Sequence, residues 1–464
     1  MCMMCRKDGM FFNSATEELD AYYPIRPECQ ADVAKTRFKA RVGKTLSPRR
    51  WNAAFSQDGH LDIAGVLRRI QRGGIHPTIK GVVWEFFWDV MIPTAHLTKE
   101  MKSGSGEAKN LSGFLIWGLG GMREQYAALK AVCQKMEPTI GSGKFITTVV
   151  SDDGCPVQDA SANANAEDDN GAMSNNGPSD EREIQWKLTL PQIGLDVVRT
   201  DRTLVFYEDE ANQAKLWDVL AVYTWMDNDI GYVQGMNDIC SPMVILLEHE
   251  ADAFWCFERA MRRLVHLDFY GSAISTGTLA QIIKAIDPKL HNHLEEVDGG
   301  EYLFAIRMLM VLFRREFSFV DAMYLWEVMW AMEYNPNIYS LYEDSSDPGS
   351  VKNGEKVNNK MLKQYGKFER ENMKTGWTDQ RGALAVYLVA SVLEKKNKQL
   401  LKEAQGLDDV VKILGEITGN LDAKKALKEA LKIHKKYLSK ARCIPAIPIT
   451  YIPLVFILCL IAQH

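Results

Sequence analysis

Two short stretches, Ile193-Gly-Leu-Asp-Val-Val-Arg199 and Tyr232-Val-Gln-Gly235, carry more information than any other part of this chain. The first ends on a guanidinium, and the second offers a carboxamide. A guanidinium can neutralise negative charge that develops on phosphate oxygens in a transition state. A carboxamide both donates and accepts hydrogen bonds, so it can align an attacking water. The two side chains, those of Arg199 and Gln234, therefore point to phosphoryl-transfer chemistry that needs neither a titrating group nor a metal ligand.

At these residues the chain resembles the TBC-domain family of Rab GTPase-activating proteins, particularly its plant members. The family fingerprint is Ile-x-x-Asp-x-x-Arg followed by Tyr-x-Gln-Gly, and both parts are intact here. The resemblance covers roughly residues 46 to 335. It includes Gly73-Gly-Ile-His-Pro-Thr-Ile-Lys80-Gly-Val-Val-Trp84 upstream, and Phe313-Arg-Arg-Glu-Phe317 and Leu325-Trp-Glu-Val-Met-Trp330 downstream, which look like late helices. Each string alone is weakly specific, but their order and spacing together are strongly specific.

The resemblance implies a fold and an activity. The fold would be an all-α, two-lobed, multi-helix TBC (Rab-GAP) domain with disordered insertions. Its N-terminal lobe would carry both groups, and its C-terminal lobe would help to grip a GTP-loaded Rab small GTPase. Arg199 would act as an arginine finger and Gln234 as a glutamine finger, supplied in trans to accelerate GTP hydrolysis. GTP and Mg²⁺ would belong to the partner, so the chain would have no cofactor of its own and would not be an enzyme by itself.

Four further residues of the two stretches are assigned supporting roles. Asp196 can hold the guanidinium of Arg199 in place, although a plain surface ion pair between i and i+3 on a helix is an alternative interpretation. Ile193 is expected to be a packing anchor. Tyr232 is expected either to pack beneath its loop or to touch the GTPase, and Gly235 to let the backbone turn tightly.

Lys80 and Trp84 in the upstream element are candidate Rab contacts or structural residues. The family usually has Arg where this chain has Lys80. Lysine keeps the charge but loses the planar fork, so a bidentate or stacked contact at this position would be lost.

Composition and charge exclude several other classes. The chain has 464 residues, of which 46% are apolar and 25% charged, as in ordinary globular proteins. A net charge of −5 argues against a general nucleic-acid binder. Of the nine cysteines, Cys2 and Cys5 form one C-x-x-C pair, which cannot close a tetrahedral zinc site. We expect reduced thiols, a cytoplasmic protein and no metal site.

Apolar residues recur at helical spacing along most of the chain, and strand-like alternation is scarce. We divide the chain into five parts, listed here in order: a partly ordered leader (1–45), the TBC domain (46–340), a polar linker (341–376), lysine-rich C-terminal helices (377–442) and an apolar tail (443–464).

Two insertions interrupt the family pattern within the domain. Residues 98–121 carry a Lys-Ser-Gly-Ser-Gly-Glu run and a glycine-spaced apolar run, which together predict a surface loop. Residues 151–183 are rich in Asp, Asn, Ala, Ser and Gly without apolar periodicity, which predicts disorder.

The C-terminal part raises the question of membrane association. Residues 421–440 read as an amphipathic helix with one apolar stripe, whose lysines most simply form a solvated face. The tail from Cys443 to Ala462 is uncharged and long enough for a single span, but Pro445, Pro448 and Pro453 interrupt it. Recruitment to endomembranes with peripheral or weak tail-mediated association is therefore expected, and anchoring by the tail is not favoured.

Two other functions compete with GTPase activation. The chain could be a catalytically weak Rab-binding scaffold, whose lobe was damaged by Lys80 and by the 98–121 insertion. It could also be a membrane tether in vesicle trafficking, for which the basic helix and the tail matter more than the fingers. Single-turnover hydrolysis over a panel of Rabs separates the first of these from an activator, and fractionation with and without the tail addresses the second.

Overall fold

The computed structural model describes residues 19–57, 61–90, 111–147, 178–228, 230–266, 273–297, 299–336, 362–374, 383–419 and 421–441. Within these ranges the chain is helical and its β pairing is confined to isolated bridges, so the all-α prediction is confirmed. The α-helices, in chain order, are α1 (Pro48–Asn52), α2 (Ile63–Gly73), α3 (Lys80–Val90), α4 (Leu111–Met136), α5 (Pro178–Arg199), α6 (Glu210–Met226), α7 (Met236–Leu246), α8 (Glu250–His266), α9 (Ala273–Ile286), α10 (Pro288–Glu296), α11 (Ile306–Met310), α12 (Phe319–Met332), α13 (Lys367–Lys374), α14 (Leu384–Glu403), α15 (Leu407–Gly415) and α16 (Ala423–Ala441).

The helices form two groups around one continuous apolar core. In the first group, α4 to α8 pack on one another, with α6 in contact with α4, α5, α7 and α8. In the second group, α9, α10, α14 and α15 pack together with α16. Helix α12 packs against α2, α13 and α16. This arrangement agrees with the two-lobed architecture expected from the sequence.

Helices α6 and α12 are the most deeply buried elements. Helix α6 is buried without a break from Leu216 to Thr224, and α12 from Val320 to Met332. A helix that is apolar on all sides must be surrounded by other elements. Ser318 begins α12 because its hydroxyl accepts the backbone N–H of Asp321. These two helices therefore form the rigid centres on which the site elements rest.

The leader is more closely packed than its sequence predicted. The backbone N–H of Arg26 donates to the carbonyl of Thr203 at 2.8 Å, and that of Val205 donates to the carbonyl of Pro24 at 2.9 Å. Further along, the ring of Phe38 stacks on Tyr324 with 4.4 Å between centroids. The described part of the leader therefore belongs to the domain. Single long-range contacts anchor it, and such contacts leave no helical periodicity in the sequence.

Helical structure begins inside both predicted insertions. Helix α4 already begins at Leu111, within the predicted loop 98–121, and α5 begins at Pro178, within the predicted disordered segment 151–183. Glycines lower helix propensity by about 1 kcal/mol each. They do not end α4, because a helix propagates readily from a well-packed turn, and the second half of α4 packs on α6 and α8. The other residues of both insertions lie outside the described ranges.

The predicted polar linker 341–376 also contains a helix. Helix α13 lies within it, and the side chains of Tyr365 and Phe368 are buried. The backbone N–H of Gly366 donates to the carbonyl of Tyr334 at 2.7 Å. A Cβ at Gly366 would lie 2.1 Å from the carbonyl oxygen of Met332, so only glycine fits there. A few aromatic anchors and one glycine thus order a segment whose composition is polar.

The C-terminal helices continue the core of the domain and do not form a separate unit. Helix α16 packs against α9, α12 and α14. On its apolar stripe Leu427, His434 and Leu438 are buried and Leu431 is half-buried. None of the helices in the described ranges is both long and apolar enough to cross a bilayer. The apolar tail lies outside those ranges.

Candidate functional site

Arg199 is the last residue of α5, and its guanidinium faces solvent. Its side chain is 55% exposed, whereas that of Asp196, one turn earlier, is only 2% exposed. The hydroxyl of Thr200 donates to the carbonyl of Asp196 at 2.7 Å and satisfies an oxygen that the helix end leaves free. The chain then turns at Asp201, whose φ is +44°. The helix end therefore presents a charged group at a fixed position.

The carboxylate of Asp196 joins the two stretches of the sequence fingerprint. One of its oxygens, Oδ1, accepts a hydrogen bond from the guanidinium of Arg199. The other, Oδ2, accepts a hydrogen bond from the hydroxyl of Tyr232 at 2.6 Å. Burial and the nearby Asp196 carboxylate raise the pKa of Tyr232 well above its ordinary value. The phenol therefore stays protonated and donates. Asp196 forms the i, i+3 ion pair with Arg199, and the same geometry fits a supporting role.

Gln234 lies exposed in the short loop that leads into α7. Glycines with positive φ stand on either side of it, Gly231 at +64° and Gly235 at +106°. A Cβ at Gly235 would lie 3.0 Å from Cγ1 of Val311, so the loop also approaches the rest of the domain closely. Positive φ is inexpensive only for glycine. The loop shape that displays the carboxamide is thus encoded by these two glycines.

A second hydrogen-bonded link holds the loop to the end of α5. The side-chain amide of Asn237 donates to the hydroxyl of Thr200 at 2.8 Å, while its carbonyl oxygen accepts the backbone N–H of Gly235 at 3.1 Å. The links at Tyr232 and at Asn237 lie on either side of Gln234. They tie the loop that carries the exposed Gln234 to the helix end that carries the exposed Arg199.

Two neighbouring arginines form a clamp on the residues that follow the two stretches. The guanidinium of Arg314 donates to Asp201, which follows the α5 end, and Arg315 donates to Asp238 of α7 at 3.0 Å. Burial raises the pKa of Asp238, and the two arginines oppose that rise. This clamp was missed in the sequence analysis, where the arginines only supported the resemblance.

The segment that carries this clamp is a strained turn and not a helix. Helix α11 ends at Met310, and Leu312 and Phe313 then take φ values of +46° and +62°. The indole N–H of Trp326 donates to the carbonyl of Leu312 at 2.7 Å and holds the turn in place. The expectation that Phe313-Arg-Arg-Glu-Phe317 belongs to a late helix is therefore wrong. Backbone strain of this kind persists only where the surrounding structure enforces it.

Ile193, Lys80 and Trp84 lie inside the protein. Ile193 is fully buried in the apolar core, the place that a packing anchor would take. The Lys80 ammonium donates to the carboxylate of Glu327, and both side chains are 0% exposed. The indole N–H of Trp84 donates to the same carboxylate at 3.2 Å. Of the two roles open for Lys80 and Trp84, their burial fits the structural one, because neither side chain can reach a partner.

Burial raises the pKa of Glu327, and the Lys80 ammonium opposes that rise. The Lys80 ammonium binds this buried carboxylate and does not reach the surface. Having lysine instead of arginine at position 80 therefore does not alter the exposed surface. Among the described residues, no group of three or more His, Cys, Asp or Glu side chains could hold a metal ion.

The comparisons with known proteins agree with this geometry. A family model described as the Rab-GTPase-TBC domain matches residues 158–342, a range that contains both stretches. Over these residues the chain matches the TBC-domain family. Its TBC domain has a solved counterpart in the crystal structure of the Ypt/Rab-GAP domain of Gyp1p, with a TM-score of 0.50 and 16% identity over 84% of this chain and 98% of that one. At that identity the likeness shows the fold alone.

Two relatives illustrate how far the sequence similarity extends. TBC1 domain family member 17 of Homo sapiens is 38% identical over 178 residues, which are 34% of this chain and 27% of that protein. Rab GTPase-activating protein 22 of Arabidopsis thaliana is 30% identical over 222 residues, which are 47% of this chain and 35% of that protein. The chain therefore spans about a third of the length of these relatives or less.

Proposed function

We propose that this TBC-domain chain is a GTPase-activating protein for Rab-type small GTPases and supplies Arg199 and Gln234 to the partner's nucleotide site. The observation that carries this proposal is the carboxylate of Asp196, which binds Arg199 on one oxygen and Tyr232 on the other. An exposed guanidinium and an exposed carboxamide on two linked elements can neutralise transition-state charge and position the attacking water. The Rab-GAP name of the plant relative supports the same interpretation.

Each group has a distinct role in this proposal. The Arg199 guanidinium carries five N–H donors, and its hydrogen bond to Asp196 uses one nitrogen, so other donors can reach the γ-phosphate oxygens. Asp196 orients the guanidinium without touching the nucleotide. The Gln234 carboxamide positions the attacking water in place of the partner's own glutamine. GTP and Mg²⁺ belong to the GTP-loaded Rab, and the activator acts in trans from the cytoplasmic face of endomembranes.

The scaffold alternative has less support. It rested partly on Lys80, but the Lys80 side chain is buried against Glu327 and leaves the exposed surface unchanged. The other premise, the insertion at 98–121, concerns residues that become part of α4 from Leu111 onwards.

Single-turnover GTP hydrolysis over a panel of Rabs tests the proposal. The full chain should stimulate at least one Rab, and Arg199→Lys should lower that stimulation by roughly two orders of magnitude, because lysine cannot make the forked contacts. Arg202→Lys, at another exposed arginine three residues on, serves as the control and should stimulate normally. Binding to the GTP-loaded Rab should change little in either variant. Normal stimulation by Arg199→Lys would refute the assignment.

A further inference from the structure

The leader contains a basic segment whose side chains are alternately exposed and half-buried. Between Asp32 and Asp58 the sequence has no acidic residue. From position 35 to position 41 the odd-numbered residues Lys35, Arg37, Lys39 and Arg41 are exposed, and the even-numbered residues between them are half-buried. The segment is thus a strap with basic side chains along its outer edge.

The strap is fixed to α12 by its backbone. The N–H groups of Arg37 and Phe38 donate to the two carboxylate oxygens of Asp321 at 2.9 and 2.7 Å. The hydroxyl of Ser318 donates to the same carboxylate at 3.0 Å. With the stacking of Phe38 on Tyr324, these bonds hold the basic side chains in a defined register.

A cavity of about 130 Å³ opens between the strap, the end of α2 and the start of α16. Six cationic side chains line it, and they are Arg37, Lys39, Arg41, Lys44, Arg72 and Lys424. The strap and the loop after it supply four of them, whereas α2 and α16 supply one each. Residues far apart in the sequence therefore converge on one cationic cavity in a chain whose net charge is −5.

These six cations form no ion pair with any carboxylate that the structure describes. Within the described ranges, none of the six side chains lies within ion-pair distance of an Asp or Glu. The two carboxylates in the cavity wall are engaged elsewhere: Asp321 accepts from the strap backbone, and Asp422 accepts the backbone N–H of Lys425 at 2.9 Å at the start of α16. Six cations therefore share the cavity wall with two carboxylates, which leaves an excess of positive charge there.

We propose that this cavity is a binding site for a phosphomonoester group on a larger molecule. Three of its cations are arginines, whose planar forks match phosphate oxygens in a bidentate way. Its volume of about 130 Å³ leaves room for a phosphate group. A dianionic phosphate inserted there meets several unpaired cations at once. The lysines around the opening then contact further phosphates on the same molecule.

Phosphorylated inositol is the ligand chemistry that fits, either as a soluble inositol phosphate or as the headgroup of a phosphoinositide in a membrane. The two sources are distinguished by two measurements on the full chain. Isothermal titration calorimetry with inositol trisphosphate measures the soluble form. Flotation with phosphatidylcholine vesicles that contain either phosphatidylinositol bisphosphate or phosphatidylserine, matched in total charge, measures the membrane form.

The test variant is Arg37→Gln/Arg72→Gln, which removes two arginines of the cavity. Both side chains are exposed, and glutamine retains the backbone N–H that Arg37 donates to Asp321, so the fold is preserved. The matched control is Lys289→Gln/Lys402→Gln, which removes the same charge from exposed positions outside the cavity. Loss of charge-assisted hydrogen bonds should weaken phosphate binding at least about tenfold in the test variant and less than about twofold in the control.

Each outcome decides the proposal. Saturable binding of inositol trisphosphate that the test variant loses supports a site open to the soluble form. Binding only to bisphosphate vesicles, lost in the test variant, supports a headgroup site. Equal binding to bisphosphate and phosphatidylserine vesicles would show a general response to surface charge and would overturn the proposal. So would an absence of binding to every probe, or a test variant that binds as tightly as the control.

Discussion

Replacing Tyr232 by phenylalanine tests how the two exposed groups are held together. The change removes only the hydroxyl that donates to Asp196 at 2.6 Å. A hydrogen bond to a charged group contributes about 1.5–3 kcal/mol. Because the Asp196 side chain is only 2% exposed, water reaches the freed carboxylate oxygen poorly, and we expect a loss of stability near the upper end, about 3 kcal/mol. Without this hydrogen bond the loop that carries Gln234 is held less firmly. We therefore expect kcat/KM of stimulated hydrolysis to fall about tenfold.

Urea unfolding gives the change in stability, and stimulated GTP hydrolysis at 25 °C gives the change in activity. Tyr126→Phe is a matched control, because Tyr126 is also buried and also donates to a carboxylate, that of Glu250 between α4 and α8. It should lose comparable stability with normal stimulation. If Tyr232→Phe stimulates normally despite its lower stability, or if Tyr126→Phe loses as much stimulation, the bracing role of Tyr232 is refuted.

Two predictions concern buried carboxylates. Lys80→Met leaves Glu327 buried without its cation and should lower the free energy of unfolding in urea by about 3–5 kcal/mol. The double variant Lys80→Met/Glu327→Gln should recover most of that loss, and equal losses in the two variants would contradict the buried pair. Burial raises the pKa of Glu316 to about 7 from an ordinary value of 4.5, and its Oε2 lacks a hydrogen-bond donor in the described structure. The folded state therefore holds this proton more tightly, and wild-type stability should fall as pH rises from about 4.5 to about 7. Glu316→Gln should match the wild type at pH 4 and exceed it at pH 8 by up to about 3 kcal/mol in urea unfolding, and a gain that does not vary with pH would contradict this account.

The site could be predicted from the sequence because its chemistry lies in two short contiguous strings. Residue type, spacing and the resemblance to the TBC family single out Arg199 and Gln234, and both are exposed in the structure. The hydrogen bond between Tyr232 and Asp196 could not be predicted from the sequence, because local spacing indicates only an i, i+3 pair of Asp196 with Arg199.

Other features depended on contacts between distant residues. Lysine is rarely buried, and the partner of Lys80 is 247 residues away, so nothing near Lys80 in the sequence indicated its burial. The positive φ at Leu312 and Phe313 could not be predicted, because neither residue type favours that region. The strap differs from these features, because its alternation of period two from Lys35 to Arg41 is visible in the sequence. The search for helical periodicity does not detect such a pattern.

The most direct test of the central claim uses a Rab whose own catalytic glutamine has been replaced. If Gln234 supplies the carboxamide in trans, the wild-type chain should still accelerate single-turnover GTP hydrolysis by this Rab, because the water is positioned from the activator's side. Gln234→Ala should abolish that acceleration while binding to the GTP-loaded Rab persists. A mutant Rab that no longer responds to the wild-type chain, or that responds equally well to Gln234→Ala, would contradict the account.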